Sequence, residues 1–392
     1  MNSVQKGTVR MEENFEWENI PKETNENPME TSAEEEALAL KTKKEEMKKK
    51  LRSSSNRIGW ATALLIALWM GFLAVISSIT VVIDYLSEQG IIAFSGMDFY
   101  NKYLLILNEV TLALAIAVAV LILLSLPKAK TEKQPIEFSR FVKILLICFG
   151  AGYIGNLIGT MFLTFWNIVT GNSAGGELQE ILYGMNPVIM FLSVGVLAPI
   201  LEELFFRKLL IDRLRPFGKI VSVFLPAFLF ALFHMSATQI VYAFAIGAIL
   251  AYLYYETGKY WLTVIIHAIF NWISGFIPML FLPKINGFMN DFALIENSLM
   301  EVETLEEVTA LMMPLLETYG FTLALYAIYL FLVFAINMTG LVLLCLNLKT
   351  LRKMKEESLL TFKETVKAVI VNPGMIVCTA LLGVLTVFSL FS

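Results

Sequence analysis

Several residue types and patterns that define common protein classes are scarce in this chain. Its 392 residues hold three cysteines (Cys148, Cys345 and Cys378) and two histidines (His234 and His267). All three cysteines fall in apolar segments, with no C-x-x-C pair and no Cys-His spacing of a zinc module, so they read as small buried hydrophobes. Charged residues make up only 16% of the chain and the formal net charge is -4, which leaves no basic surplus for binding nucleic acid. No cleavable signal peptide is expected, because the first apolar run begins near Ile58 and is too long for a signal h-region. Ser193 and Ser274 are not set in a G-x-S-x-G elbow, and neither histidine belongs to an H-E-x-x-H zinc motif.

What the chain has in excess is apolar sequence. Hydrophobic residues account for 57% of it, above the roughly 45–50% of soluble proteins, and the mean hydropathy is +0.68. They gather in nearly uncharged blocks of about 20 residues, the length that crosses a hydrocarbon core of roughly 30 Å. Such segments are expected at 58–85, 103–127, 142–170, 187–214, 219–237, 239–256, 260–282, 321–348 and 374–391. They should all be helical, since a chain in lipid must satisfy its own backbone hydrogen bonds and these runs exceed barrel strands. The expected fold class is all-α, a polytopic transmembrane bundle of about nine helices.

Loop charge predicts the orientation. Basic residues cluster before the first segment, in the loop with Lys128, Lys130, Lys133, Arg140 and Lys143, at Arg213, Arg215 and Lys219, and again from Lys349 to Lys367. This places the N-terminus in the cytoplasm and the C-terminus outside, most simply in a bacterial plasma membrane. Residues 1–57 read as a polar cytoplasmic tail, disordered in its acidic first part, with a possible helix from Ser32 to Leu51. Residues 283–320 read as an acidic external loop whose Leu305, Val308, Leu311, Met312 and Leu315 could form a short surface helix.

Ionisable groups within hydrocarbon are costly and mark function. Glu202, Glu203 and Arg207 lie in the fourth segment, His234 in the fifth, and His267 with Asn271 in the seventh. Glu203 and Arg207, four residues apart on one helix face, are expected to pair, while Glu202 projects about 100° away and is free to act as a general base. His267 and Asn271 also share a face, and Phe230 precedes His234 by one turn and could wall the site. Counted at about 1.5 Å per residue from their cytoplasmic ends, Glu202, His234, His267 and Asn271 all fall roughly 12 to 22 Å deep. The alternative is that these groups only lock helices together.

The three pieces EELFFR (202–207), FALFH (230–234) and HAIFN (267–271) resemble the ordered motifs E-E-x-x-x-R, F-x-x-x-H and H-x-x-x-N of the CPBP family. That family takes in type II CAAX prenyl endopeptidases and bacteriocin-processing or self-immunity membrane proteins. The resemblance covers about 187–282, the motif-bearing core of the domain 58–392. It implies an intramembrane endopeptidase acting on a peptide or membrane-protein substrate. Glu202 and His234 would activate water, His267 and Asn271 would stabilise the oxyanion, and Glu203, Arg207 and Phe230 would support them. No cofactor is favoured. If zinc takes part, Glu202, His234 and His267 are the ligand set. A non-catalytic immunity or adaptor protein of the same fold is the second reading, and a proton- or ion-coupled transporter, for which no internal repeat is seen, the third.

Overall fold

A computed structural model describes residues 33–171, 174, 185–352 and 359–391. The acidic first part of the tail, expected to be disordered, lies outside them. The described residues are helical with no strand. In chain order the helices are α1 (Ala33–Glu88), α2 (Gly96–Leu123), α3 (Phe138–Thr170), α4 (Pro187–Phe217), α5 (Lys219–Phe233), α6 (Ile240–Thr257), α7 (Tyr260–Glu301), α8 (Leu305–Arg352), α9 (Phe362–Ile370) and α10 (Pro373–Phe388). Seven of them, α1 to α4 and α6 to α8, are long and apolar enough to cross a membrane. The α9–α10 pair, bent by 77° at its break, makes an eighth candidate span. The remaining expected segment, the fifth at 219–237, is α5, whose 15 residues rise only about 22 Å, short of a hydrocarbon core of roughly 30 Å. His234 therefore sits at a helix end within the bundle.

Two expected boundaries moved. The basic half of the tail does not stop before the first span but continues into it as one helix, because its Ala, Glu, Lys and Leu residues suit a helix and nothing breaks the run to Glu88. The segment 283–320, expected as a loop on its acidic composition, is a helical hairpin: α7 runs on to Glu301 and α8 begins at Leu305. Its acidic residues sit on helices stapled together by aromatic contacts. Tyr319 donates its hydroxyl to Asp291 (2.7 Å), packs on Phe288 and lies under the ammonium of Lys284.

The main core joins α1, α2, α4, α5, α9 and α10 through residues such as Ile58, Ala115, Phe205, Phe206, Leu229 and Met375. A second core lies between α3, α6 and α7 around Cys148, Ile246, Leu250 and Ile266. Lipid tails are as apolar as these side chains, so close backbone packing holds such helices together. At the α3–α8 crossing Gly150 meets Gly340, and a Cβ on Gly150 would stand 2.2 Å from the backbone nitrogen of Leu341. Gly59 and Gly374 make the corresponding contact between α1 and α10. Of the cysteines, Cys148 and Cys378 are buried as expected, whereas Cys345 is exposed on α8, a helix with little of its surface covered by the bundle.

Candidate active site

The site is built around irregular turns. Three stretches of wider helical winding occur at Ser193–Leu197 and Leu204–Leu209 in α4 and at Trp272–Phe276 in α7. Such turns release carbonyls from the regular ladder and recur at functional sites. Here the released carbonyl of Val194 accepts a hydrogen bond from the Asn271 carboxamide at 3.0 Å, which ties α4 to α7. Gly195 makes this approach possible, since a Cβ there would lie 2.3 Å from the indole nitrogen of Trp272.

Glu203 and Arg207 stack on one face of α4 with Nε and Oε2 3.0 Å apart, and both side chains are fully buried. The contact is close in charge but off the hydrogen-bond axis, and the three guanidinium nitrogens have no hydrogen-bond partner among the described residues. The guanidinium instead lies over the Phe230 ring, 4.4 Å from its centroid. In a dry site that cation–π contact strengthens relative to one in water. Glu202, as its helical position requires, points elsewhere and keeps 15% of its side chain accessible.

His267 stands between the two glutamates. Its Nδ1 is 3.0 Å from Glu203 Oε1 and its Nε2 is 3.7 Å from Glu202 Oε2. With Nδ1–H donated to the Glu203 carboxylate, the ring orientation is fixed and Nε2 is turned toward Glu202. Thr263, one turn earlier on α7 and fully buried, donates its hydroxyl to the Tyr260 carbonyl at 2.8 Å. Tyr260 anchors the start of the same helix by donating its hydroxyl to the Ile200 carbonyl of α4.

His234 follows the last residue of α5, where helix carbonyls lack partners in the ladder. Its Nδ1–H donates to the Phe230 carbonyl at 2.9 Å, which leaves Nε2 as the free ring nitrogen. The next residue, Met235, takes a left-handed φ of 49°, a costly conformation for a side chain of this kind, and turns the chain toward α6. Phe230 is the wall expected from the sequence and more. Its ring meets His234 edge-on at 4.7 Å, His267 at 5.7 Å and Phe206 at 5.4 Å, besides carrying Arg207.

The structure thus gathers Glu202, Glu203, Arg207, Phe230, His234 and His267, with Asn271 one turn further along α7. It pairs them differently from the implied division of labour: His267 has the direct contact with Glu202, and Asn271 is partly engaged by Val194. Sequence reading missed Glu109. This carboxyl lies in α2, is 6% exposed, and is within electrostatic range of Glu202. Its signal was available, because it is an acidic residue inside an apolar run, but it belongs to no motif and sits far from the others in the chain.

The arrangement supplies a carboxylate and imidazoles able to move protons, next to an ion pair that holds them in place. Among the described residues no three His, Cys, Asp or Glu side chains converge on a metal position. Of the expected ligand set, Glu202 Oε2 and His267 Nε2 stand 3.7 Å apart, a spacing close to that of two atoms bound to one zinc ion at about 2.0–2.2 Å, and His234 keeps Nε2 free.

Residues 184–273 match the family model described as Type II CAAX prenyl endopeptidase Rce1-like. No curated protein and no solved structure matches the chain. The matched span contains all seven residues of the three motifs and excludes α1, α2, α3 and the helices from α8 onward. The match is to a CAAX-type membrane protease family, and the helical, apolar architecture agrees with it.

Proposed function

We propose that the chain is an intramembrane endopeptidase that hydrolyses a peptide bond in a peptide or membrane-associated protein, using Glu202 to activate water. The observation that supports this most is the continuous polar path Arg207–Glu203–His267–Glu202 inside an apolar bundle, within the span that matches a protease family. A structural lock would need only the buried Glu203–Arg207 pair. Glu202, accessible and aimed at an imidazole already oriented by Glu203, has no such structural duty.

Amide hydrolysis needs a base for the attacking water, an acid for the leaving amine, and donors for the oxyanion. Glu202 takes a proton from water as its oxygen adds to the carbonyl carbon, and the same proton passes to the leaving nitrogen as the C–N bond breaks. Nε2 of His234, with Nδ1–H held by the Phe230 carbonyl, is available to accept a hydrogen bond from that water. The carboxamide of Asn271 retains one N–H after bonding Val194, and it faces the oxyanion together with Nε2 of His267 when that atom carries a proton. No step requires a metal, and activity that survives chelation of the purified protein is the expected outcome. Loop charge favours a cytoplasmic N-terminus, and the C-terminus then lies outside when α5, antiparallel to α6 with Lys219 beside Glu256, counts as a crossing.

The test uses the full-length protein in nanodiscs with two internally quenched peptides, one ending in a prenylated C-a-a-X sequence and one identical but unprenylated. Membrane proteomes of cells carrying wild type or Glu202→Ala complete the substrate search. Glu202→Ala and His234→Ala should abolish cleavage without lowering the amount of protein in the membrane. Full biological activity in both variants would favour the non-catalytic immunity or adaptor role.

A further inference from the structure

Helix α9 is a nine-residue element that lies outside the matched span and has no part in the proposed reaction. It begins with a reciprocal cap, in which Thr361 Oγ1 accepts from the Glu364 amide and the Glu364 carboxylate accepts from the Thr361 amide at 2.9 Å. Pro373 follows its end, and the residue before a proline disfavours helical backbone, so α10 sets off at 77° to α9. Buried polar contacts lock this corner onto α1. Ser55 donates to the Ala368 carbonyl at 3.2 Å, the Asn372 carboxamide donates to Ser55 Oγ at 3.1 Å, and Asn56 Oδ1 accepts from the Gly374 amide at 2.7 Å. From there α10 crosses the bundle, since it meets Gly59 of α1 at one end and the Trp166 indole of α3, through the Leu390 carbonyl, at the other. With an ordinary span tilt of about 20°, α9 lies closer to the membrane plane than to its normal.

The surface of α9 is sorted by residue type. Ala368 and Val369 are buried, and Glu364, the one acid of the helix, is turned to Lys44 of α1 at 3.0 Å. At about 100° per residue, Phe362, Val366 and Ile370 line up as one exposed row, and Lys363 with Lys367 forms the exposed row beside it. Neither lysine has an ion-pair partner among the described residues. Phe362 also walls a cavity of about 180 Å³ between α9 and the start of α5, together with Phe217, Ile220, Val221 and Leu360. An apolar row in the membrane plane flanked by cations one turn apart is complementary to lipid with anionic headgroups.

We infer that α9 is an interfacial helix that binds an anionic phospholipid of the leaflet in which it lies. The phosphate is held between the ammonium groups of Lys363 and Lys367, and the acyl chains lie against Phe362, Val366 and Ile370. Lysine suits this place because its long stem covers apolar surface while its charge stays at headgroup level. Glu364 does not repel the phosphate, because its charge is spent on Lys44 at the opposite side of the helix. Nothing in this binding depends on the protease reading.

The test uses the full chain, with the exposed Cys345 replaced by serine, in nanodiscs of phosphatidylcholine with and without phosphatidylglycerol. Native mass spectrometry of the released protein should find phosphatidylglycerol retained in preference to phosphatidylcholine. Lys363→Gln or Lys367→Gln should each lower that retention about fivefold, the factor a lysine contributes at an anionic surface, and arginine at the same position should restore it. Equal retention of the two lipids, or retention unchanged in the double glutamine variant, overturns the site. Spin labels on Val366→Cys and Ile370→Cys place the apolar row independently: oxygen should reach them and a water-soluble nickel chelate should not. Labels open to the chelate put this face in water, and strong coupling between labels on two copies assigns it to a second chain. Either result overturns the proposal.

Discussion

Replacing Arg207 by alanine is the substitution whose cost the structure specifies best. Arg207 and Glu203 are both fully buried 3.0 Å apart, so the change leaves a carboxylate without its nearest cation and removes the side chain that covers Phe230. Breaking a buried ion pair from one side costs about 3–5 kcal/mol, chiefly through the uncompensated charge. Glu203 keeps its hydrogen bond from His267, which places the expected loss toward the lower end of that range. At about 1.4 kcal/mol per tenfold, the folded-to-unfolded ratio should fall by roughly two orders of magnitude or more. The assay is thermal unfolding of the purified protein in one fixed detergent, compared with Glu203→Gln and with the double variant carrying Arg207→Leu and Glu203→Gln. The double variant should recover most of the loss, since it removes both charges while keeping volume. Arg207→Ala as stable as wild type, or a double variant no better than the single, would refute the ion-pair argument.

Asn271→Leu should leave the Val194 carbonyl buried without its donor, costing about 1–3 kcal/mol, and should lower turnover more than substrate affinity. Unfolding midpoints and the separate KM and kcat values check it. The attachment of α9 to α1 should depend on acid. Backbone hydrogen bonding from Thr361, joined by Lys44 at 3.0 Å, holds the Glu364 carboxyl down to about 2. Because this folded value lies below the ordinary one of 4.5, the contact is fully present above about 4.5 and is lost as pH falls toward 2. Spin-label distances between α1 and α9 should lengthen across that window in wild type, and Glu364→Gln should abolish the pH dependence.

The spans were legible because each is a long apolar run, and the motif residues were legible because ionisable groups stand out within such runs. The Glu203–Arg207 pairing and the accessibility of Glu202 followed from helical spacing alone. Contacts that depend on departures from regular winding were not accessible in this way. The wide turn at Ser193–Leu197 frees the Val194 carbonyl, and no periodicity argument assigns Asn271 to a carbonyl 77 residues away. The hairpin at 283–320 was hidden by its acidic composition, which suits an exposed helix as well as a loop. Glu109 went unnoticed because its relation to Glu202 exists only after α2 packs on α4.

The central claim is that Glu202 activates water within a bundle held by Glu203, Arg207 and His267. It is tested most directly by the single-turnover cleavage rate of Glu202→Gln beside wild type, both reconstituted as full-length protein with a chelator present. Glutamine keeps the size of the side chain but cannot take a proton from water. The account predicts unchanged thermal stability and loss of at least about 10²-fold in rate, the usual contribution of a general base. A Glu202→Gln protein that cleaves at the wild-type rate would contradict it.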